Sequence, residues 1–561
     1  MPFPKHFRRM AVFRARETLI LALVLFLGLA LYQLSLPGLH YDEAREAGVN
    51  ALQLISGLPM EIFRNAKIWI AGQAFPLMVQ DYIGALNVYL AIPFLAVGGV
   101  NVTALRLLPV VTAAMTLVLT YRLADRLAGR IAAGITALLL AVNPSFVFWS
   151  RQGIFVTNIT ALLAVTAAML ALRVARRQRR VDWVTLGLVC GLGLWAKLLF
   201  IWIIGAGLAL ALIRFAGQSQ TARAASITNV VSSSSEKDPV SFCPIIGPAL
   251  GTVGLLIGMA PLLIFNLQTG GTLSSIFSNL GHSYYGVNNA DFLHNLGRRV
   301  AQLWALLNSE HLWYLGEAFQ NPLAPWLAVT LLISALMAWV TRRPRRPDQI
   351  APLAAGVLFV ALYTVQSSFT VSDLFITHYA TGLPFIFLVA GLAAGVLAQT
   401  LGRRGTALAL ALALTWAGSD LVTDVRYHQI LRFTGGHGTH SDAIYALAGH
   451  LIKRPEQPVV ALDWGIAAPV YFLTAGKVSP VELFGYERRD APDPGFADRL
   501  LPYLERPETA YLFRSGDDTI FQGRRQALKE LALRNGRRFV REITIRERTR
   551  RAAFTVMRVI P

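Results

Sequence analysis

The sequence predicts a polytopic α-helical membrane protein with a C-terminal α/β domain. The chain has 561 residues, of which 54% are hydrophobic and 15% are charged, and its mean hydropathy is +0.49. Soluble domains carry about 25% charged residues, so this composition indicates a membrane protein. Long apolar runs recur from Thr18 to about Gly418, and the remainder of the chain has a soluble-like composition.

Apolar runs that match the length of membrane helices justify about eleven predicted spans. A hydrocarbon core about 30 Å thick requires about 20 apolar residues in a helix. We predict that the first span is retained, because no small-residue cleavage site follows it closely. The predicted spans are Thr18–Leu36, Ala104–Tyr121, Ile131–Phe148, Phe155–Leu172, Trp183–Ala196, Leu198–Ile213, Ile245–Phe265, Leu323–Val340, Ile350–Val365, Leu383–Ala398 and Thr406–Gly418.

The distribution of lysine and arginine predicts the orientation of the chain in the membrane. If the N-terminus lies inside, the inner segments hold 22 of these residues and the outer loops hold 7. Because short cytoplasmic loops carry the excess of positive charge, we predict a cytoplasmic N-terminus, and an odd number of spans places the C-terminal domain outside. The basic residues lie in short clusters between apolar runs, so the net charge of +20 does not indicate a nucleic-acid partner.

The sequence divides into a membrane domain, residues 1–418, and a soluble extracytoplasmic α/β domain, residues 419–561. In the first outer loop, residues 37–103, we predict two interfacial helices, "DEAREAGVNALQLI" and "DYIGALNVYLAIPFLAVGGV", the first with Asp42 as its N-terminal cap. In the C-terminal domain, "RFVREITIRE" and "RAAFTVMRVI" alternate like paired strands. We expect this domain to have a structural or acceptor-positioning role.

Ionisable residues gather at the outer ends of the predicted spans. A charged side chain inside a span costs roughly 2.5–3.5 kcal/mol, so we expect these side chains to face a polar cavity. Lys197 does not incur the free-energy cost of a charge inside a span if its apolar run consists of two short helices that meet at an outer turn. The candidate residues are Asp42 and Glu43 after the first span, Arg151 after the third, Lys197 between the fifth and sixth, and His378 and Tyr379 before the tenth.

These residue types suit chemistry on a lipid-linked phosphate. Cations beside a span can hold a phosphate and stabilise its charge as the bond to a sugar breaks. A carboxylate opposite them can take a proton from an acceptor hydroxyl, or hold a divalent metal ion that does related work. Structural interpretations stay open for single residues: Arg151 as a headgroup contact, Lys197 as a turn residue, His378 as a buried structural histidine, and Asp42 as a helix cap.

Four short stretches, taken in their order and spacing, resemble a known superfamily. They are "HYDEAREAGVNALQL", the segment 100–153 that ends in "NPSFVFWSRQG", "RVDWVTLGLVCGLGLWAKLLFIW" and "THYATGLPFIFLVAGLAAG". The chain resembles the GT-C superfamily of polytopic membrane glycosyltransferases, most closely the protein O-mannosyltransferase-like and aminoarabinose-transferase-like (PMT_2-type) family. The resemblance implies a GT-C fold and a polyprenyl-phosphate sugar donor, with inversion at the anomeric carbon.

The resemblance also assigns roles to the candidate residues. It implies that Asp42 is the catalytic carboxylate and that Glu43 is its catalytic neighbour. The chain departs from the family pattern at Leu198, where glycine is usual, and at His378, where many relatives have arginine, so the charge there depends on the pKa of an imidazole. The implied donor-phosphate site consists of Arg151, Lys197, His378 and Tyr379.

The predicted function is that of a glycosyltransferase at the outer face of the bacterial plasma membrane. Its expected partners are a polyprenyl-phosphate sugar, a lipid, protein or polysaccharide acceptor, and membrane lipids. A divalent metal ion with Asp42 as a candidate ligand stays open as a cofactor. A transporter or flippase of a lipid-linked or anionic substrate is the alternative from another class, although the sequence shows no internal repeat of the kind that transporters tend to have.

Overall fold

The membrane part of the protein is helical. The structure is a computed structural model that describes residues 5–228, 246–342 and 347–561. All the predicted spans fall on helices, whereas the basic segments 214–237 and 342–346 lie partly outside the described residues. The helices of this part are α1 (Lys5–Leu31), α2 (Tyr41–Glu43), α3 (Val49–Ser56), α4 (Leu86–Gly98), α5 (Val102–Ala128), α6 (Arg130–Ala141), α7 (Pro144–Arg151), α8 (Ile159–Arg177), α9 (Arg180–Ala196), α10 (Ile201–Thr228), α11 (Ile246–Gly258), α12 (Ala260–Thr269), α13 (Gly271–Ser278), α14 (Phe292–Asn308), α15 (Leu323–Thr341), α16 (Pro347–Ser367), α17 (Leu383–Leu401) and α18 (Arg403–Thr434).

Among the helices of the described residues, seven are long and apolar enough to cross a membrane, or nine if two bent pairs each form one span. The bent pairs are α6 with α7, at 59°, and α11 with α12, at 60°. At the first bend the Asn143 side chain accepts the Phe146 N–H at 3.1 Å and Pro144 begins α7, so the helix restarts in a new direction. The predicted first span falls on α1, whose apolar portion is Glu17–Leu31, and the predicted fifth span falls on α9. Each of these two apolar segments is shorter than the about 20 residues that a full crossing requires.

Glycines let α9 and α11 approach closely. A Cβ atom at Gly187 would lie 1.9 Å from the Gly251 carbonyl oxygen, and one at Gly258 would lie 2.3 Å from the Leu188 carbonyl oxygen. Small residues at such contacts are typical of tightly packed membrane helices. This packing fixes α9, and the C-terminal end of α9 presents Lys197.

Residues 37–103, the predicted first outer loop, fold between the membrane helices and the C-terminal domain. Its residues 41–56 are helical, and most of their side chains are buried. Gly48 lies so close to the Phe472 ring that a Cβ atom there would be 2.8 Å from it. The helix α4 has 13 residues, fewer than the about 20 that cross a bilayer. Two short hairpins complete the loop, β1 (Lys67–Ile70) with β2 (Gln73–Pro76) and β3 (Met78–Gln80) with β4 (Ile83–Gly84).

A five-stranded sheet forms the centre of the C-terminal domain, which confirms the predicted α/β class. Its strand order is β6–β5–β7–β9–β8, with β5 parallel to β6 and β7, and β9 antiparallel to β7 and β8. The last membrane helix, α18, runs past residue 418 to Thr434 before this domain begins. The elements are α19 (Ala443–Leu451), β5 (Val459–Ala461), α20 (Ala467–Leu473), β6 (Val481–Glu482), α21 (Phe496–Leu504), β7 (Ala510–Arg514), α22 (Arg524–Arg534), β8 (Arg538–Arg546) and β9 (Ala552–Ile560).

Candidate functional site

A cavity of about 1120 Å³ lies between the first outer loop, the breaks between membrane helices and the C-terminal domain. Of the six residues that the sequence analysis selects, three line this cavity: Asp42, Lys197 and His378. The other three, Glu43, Arg151 and Tyr379, are buried in the protein beside it. The two adjacent acids and the predicted phosphate ligands therefore divide into a group that faces the cavity and a group that supports it.

Asp42 is held at the cavity by the helix start that precedes it. The predicted capping role of Asp42 is wrong: the N-cap is His40, which has extended backbone dihedrals and accepts the Asp42 N–H at its Nδ1 atom, 3.2 Å away. The Asp42 carboxylate is thus left for the cavity and is 26% exposed, with His40 Nδ1 3.7 Å away. Burial raises the pKa of Asp42 to about 7, the nearby Lys197 cation opposes this rise, and the Glu43 charge adds to it.

Glu46 is a second carboxyl group at the cavity that the sequence analysis missed. A π-helical turn, Ala44–Gly48, follows α2 and carries the Glu46 side chain into the cavity wall. The Glu46 Oε1 atom accepts a long hydrogen bond of 3.4 Å from Gln80, and within the described part of the chain Oε2 has no hydrogen-bond partner. Burial raises the pKa of Glu46 well above its ordinary value, and the Asp42 charge adds to this. The spacing of four residues from Asp42 was a usable signal, because such pairs share one helix face.

Lys197 lies at a break between two helices, as the sequence predicts. Its backbone is extended (φ −158°, ψ 126°) between the end of α9 and a 3₁₀ turn, Leu198–Phe200. The Leu198 N–H donates to the Tyr82 carbonyl at 2.9 Å, which ties this break to the first outer loop. The Lys197 side chain is almost fully buried, and burial lowers its pKa while the charges of Glu46 and Asp42 oppose that change. One ammonium group therefore lies among two carboxyl groups at the cavity wall.

His378 is a neutral imidazole supported by an arginine from another helix. It belongs to a 3₁₀ turn, Ile376–Ala380, before α17. The Arg299 Nη2 atom lies 3.1 Å from His378 Nδ1, so this arginine donates to Nδ1 and the imidazole proton is on Nε2. Burial, together with the Arg299 and Lys197 charges, holds the pKa of His378 well below its usual value. His378 can thus offer an N–H donor to the cavity, whereas Tyr379 is buried and donates its hydroxyl to the Arg299 carbonyl at 2.7 Å.

Glu43 is an interior anchor and does not face the cavity. Arg106 of α5 binds both of its carboxylate oxygens, each at 2.8 Å, and neither side chain is exposed. The Gln152 side chain and the His40 N–H donate to Glu43 as well, at 2.8 Å and 3.2 Å. The same arginine donates to the Pro37 carbonyl at 2.8 Å. The Glu43–Arg106 pair therefore fixes the turn that precedes Asp42 and so positions the Asp42 side chain at the cavity.

Arg151 supports the same turn from its other side. Its Nη2 atom donates to the Leu36 carbonyl at 2.9 Å and also to the Gln33 carbonyl, and Nη1 lies 3.3 Å from His428 Nδ1. The guanidinium is fully buried and lies outside the cavity lining. The predicted contact of Arg151 with a donor phosphate therefore has no geometric support, because the guanidinium lies outside the cavity lining and its Nη2 atom binds backbone carbonyls.

Replacing Glu43 by glutamine is expected to destabilise the fold by about 3–5 kcal/mol, because the buried Arg106 guanidinium is left without a countercharge. Unfolding of the purified protein in detergent, followed by temperature or denaturant, measures this loss. Glu61→Gln is the control, because Glu61 forms an ion pair with Arg45 at 3.1 Å while its side chain is 59% exposed. Equal stability of the two variants would contradict the anchoring role of Glu43.

The cavity residues do not fit a divalent metal ion. The described residues contain no group of three or more histidine, cysteine, aspartate or glutamate side chains that could hold one. Asp42 and Glu46 bring two carboxyl groups to the region, but the Lys197 ammonium lies close enough to interact with both and already supplies positive charge there. The residues around Asp42 therefore do not support a metal-dependent role for this carboxylate.

Two kinds of comparison place this architecture among known proteins. Residues 86–230 match the family model described as dolichyl-phosphate-mannose-protein mannosyltransferase. The crystal structure of ArnT from Cupriavidus metallidurans bound to undecaprenyl phosphate superposes with a TM-score of 0.57 at 13% sequence identity, over 97% of this chain and 98% of that one. The chain has the GT-C fold.

The chain is also similar to the apo crystal structure of the Archaeoglobus fulgidus oligosaccharyltransferase. The TM-score is 0.50 at 13% identity, and the match covers 89% of this chain and 69% of that one. No curated protein matches the sequence. The predicted resemblance and the predicted fold class are confirmed, the protein is a multi-pass membrane protein, and the family match supports the predicted enzyme class of glycosyltransferase.

Proposed function

We propose that this protein transfers a glycosyl group from a polyprenyl-phosphate sugar to an acceptor hydroxyl within the cavity. The observation that carries the proposal is that the Asp42 carboxylate and the Lys197 ammonium line the same cavity. The undecaprenyl phosphate bound to the similar ArnT structure supports a polyprenyl-phosphate donor. We assign the cavity to the outer face of a bacterial plasma membrane, with the N-terminus in the cytoplasm and residues 419–561 as an extracytoplasmic domain.

In the proposed reaction the acceptor oxygen attacks the anomeric carbon as the bond from that carbon to the phosphate oxygen breaks. Polyprenyl phosphate leaves with the bonding electrons, and the acceptor hydroxyl proton passes to Asp42, so the anomeric configuration inverts. Lys197 and the Nε2–H of His378 stabilise the negative charge of the leaving phosphate. Glu43, Arg106 and Arg151 act at a distance, since they position the turn that carries the base.

The raised pKa of Asp42 suits a general base, because a base is most effective when its pKa lies near the working pH. At neutral pH a part of the population is ionised and able to accept a proton, and the conjugate acid that forms is weaker than that of an ordinary aspartate. Transporters also use carboxylates with raised pKa values, but the sequence shows no internal repeat of the kind that transporters tend to have. The family match is to a mannosyltransferase model, so transfer is the function that we propose.

The rate of transfer is expected to rise about tenfold between about pH 6 and pH 8, because Asp42 must lose its proton to act as a base and its pKa is about 7. Labelled polyprenyl-phosphate sugar and purified protein measure this through release of polyprenyl phosphate at subsaturating donor. Thermal unfolding over the same pH range controls for loss of structure. A rate that is constant above about pH 5 would indicate a base with an ordinary aspartate pKa and would contradict the assignment.

A further inference from the structure

The C-terminal domain gives the cavity a wall of aromatic side chains around one carboxylate. Trp464, Glu482 and Tyr486 come from that domain, and Tyr41, the neighbour of the proposed base, joins them from the first outer loop. All four residues line the cavity, and we call them the roof subsite. The proposed mechanism uses none of them.

Glu482 has one engaged oxygen and one free oxygen. Its Oε2 atom accepts hydrogen bonds from the hydroxyls of Tyr41, at 3.3 Å, and Tyr486, at 2.9 Å. Its Oε1 atom is buried and has no hydrogen-bond partner among the described residues. Buried polar atoms are nearly always hydrogen-bonded in folded proteins, so this oxygen is a prepared acceptor for a donor group of a ligand.

Aromatic rings lie beside this oxygen acceptor. The Tyr41 ring packs against the Trp464 ring with centroids 4.8 Å apart, and the His40 ring meets the edge of Trp464 at 5.6 Å. Aromatic surfaces bind the apolar face of a ligand while a few placed polar groups fix its orientation. A sugar ring has both features, because its C–H groups form an apolar face and its hydroxyls donate hydrogen bonds.

The charge of the cavity distinguishes between classes of acceptor. Among the described residues that line it, carboxyl groups outnumber lysine and arginine six to three. Two of these acids are paired with arginines, Glu61 with Arg45 and Asp81 with Arg64. The four residues of the roof subsite, however, contribute one carboxyl group and no lysine or arginine, so a phosphate or carboxylate group of an acceptor placed there would meet like charge, which is costly at an interface. The carboxyl groups are those of Asp42, Glu46, Glu61, Asp81, Asp373 and Glu482, and the cations are those of Arg45, Lys197 and Arg489.

We infer that the roof subsite binds a sugar ring of an uncharged saccharide acceptor, with one of its hydroxyls donating to Glu482 Oε1. The inference rests on the proposed function and specifies its acceptor. Tyr41 and Asp42 line the same cavity, so a saccharide bound at the roof subsite can extend a further hydroxyl toward the base. The glycan can belong to a polysaccharide or to the headgroup of a glycolipid, since both offer the same ring and hydroxyls.

The test uses the full-length protein in detergent with labelled polyprenyl-phosphate sugar and envelope glycans separated by anion exchange into neutral and anionic fractions. We expect label in the neutral fraction, and extraction with organic solvent then separates glycolipid from polysaccharide. Glu482→Gln is expected to lower this transfer by about 10- to 100-fold, as loss of a hydrogen bond to a charged group implies. Cleavage of the donor by water, measured without acceptor, stays at the wild-type rate because it does not use the roof subsite.

Glu508→Gln, an exposed position of the same domain, is the matched control and keeps the wild-type transfer rate. If Glu482→Gln fails to cleave donor, Tyr486→Phe replaces it, and a loss of about 3- to 10-fold in transfer is expected because one of the two hydroxyls that orient Glu482 is removed. Label in the anionic or protein fraction, or wild-type transfer by the roof variants, would overturn the inference. A wild-type protein that cleaves no donor in any arm would instead overturn the proposed function.

Discussion

Asp42→Asn lowers glycosyl transfer by about 10²- to 10⁴-fold, the contribution that a positioned general base typically makes. Asparagine has nearly the same shape but cannot accept the acceptor proton. The backbone N–H of residue 42 still donates to His40, so the helix start is preserved. The measurement is the rate of label transfer by purified variant and wild-type protein at saturating donor and acceptor.

A control variant and a pH profile make the Asp42 result specific. Asp490→Asn is the matched control, because Asp490 lies on an exposed segment of the C-terminal domain and pairs with Arg488 at 3.1 Å. This control variant is expected to keep wild-type activity. The residual activity of Asp42→Asn no longer rises between about pH 6 and pH 8, since the group that titrates there is gone. Transfer by Asp42→Asn within about twofold of wild type would exclude Asp42 as the base.

Lys197→Ala lowers kcat/KM for the donor by about 10²- to 10³-fold, because a fixed positive donor group at the leaving phosphate is removed. The effect on KM for the acceptor is much smaller. The substitution also moves the rise in rate with pH to higher pH, since the Lys197 charge opposes the rise in the pKa of Asp42. Initial rates with donor and acceptor varied separately, repeated across pH, measure both effects.

Lys67→Ala is the control for the loss of a lysine from the same region. Lys67 begins β1 in the first outer loop, where its ammonium bonds the Asn65 side chain at 2.6 Å and lies outside the cavity lining. Lys67→Ala is therefore expected to leave kcat/KM for the donor unchanged. Lys197→Arg retains the charge and is expected to recover a part of the activity, because arginine also binds phosphate. An unchanged donor dependence in Lys197→Ala would remove this residue from the phosphate site.

The membrane architecture could be predicted from the sequence because it depends on local composition. Runs of apolar residues must form helices in a bilayer, where every backbone polar group needs a partner, and all the predicted spans fall on helices. Lys197 was predictable for the same reason, since a charge in the middle of about thirty apolar residues requires a break in the helix. The bends within α6–α7 and α11–α12 were not predicted. Asn143 caps the helix at the first bend, whereas the second has a proline in the first turn of α12 and no side-chain cap.

The functions of adjacent site residues could not be separated from the sequence alone. Asp42 and Glu43 are neighbours, but successive residues on a helix point about 100° apart, and only the tertiary structure determines which one faces the cavity. The partner that takes Glu43 into the interior, Arg106, lies 63 positions further along the chain. Arg151 fits a phosphate ligand by residue type, yet it is buried outside the cavity lining and its Nη2 atom donates to backbone carbonyls of the turn after α1.

Other parts of the candidate site come from chain segments that are remote in sequence. Arg299, which sets the tautomer of His378, is 79 positions before it, and the roof subsite joins Tyr41 to Glu482 across 441 positions. No periodicity or local motif reports such contacts. Glu46 is different, because its spacing from Asp42 placed both on one helix face and the signal was available.

An experimental structure with bound polyprenyl phosphate, determined in lipid nanodiscs, locates the donor phosphate relative to Asp42 and Lys197. We expect a phosphate oxygen within about 4 Å of Lys197 Nζ, in the cavity that Asp42 lines, while Arg151 keeps its contacts with the carbonyls of Gln33 and Leu36. A phosphate bound by Arg151, or at any place from which Asp42 cannot reach an acceptor at the anomeric carbon, would rule out the proposed site.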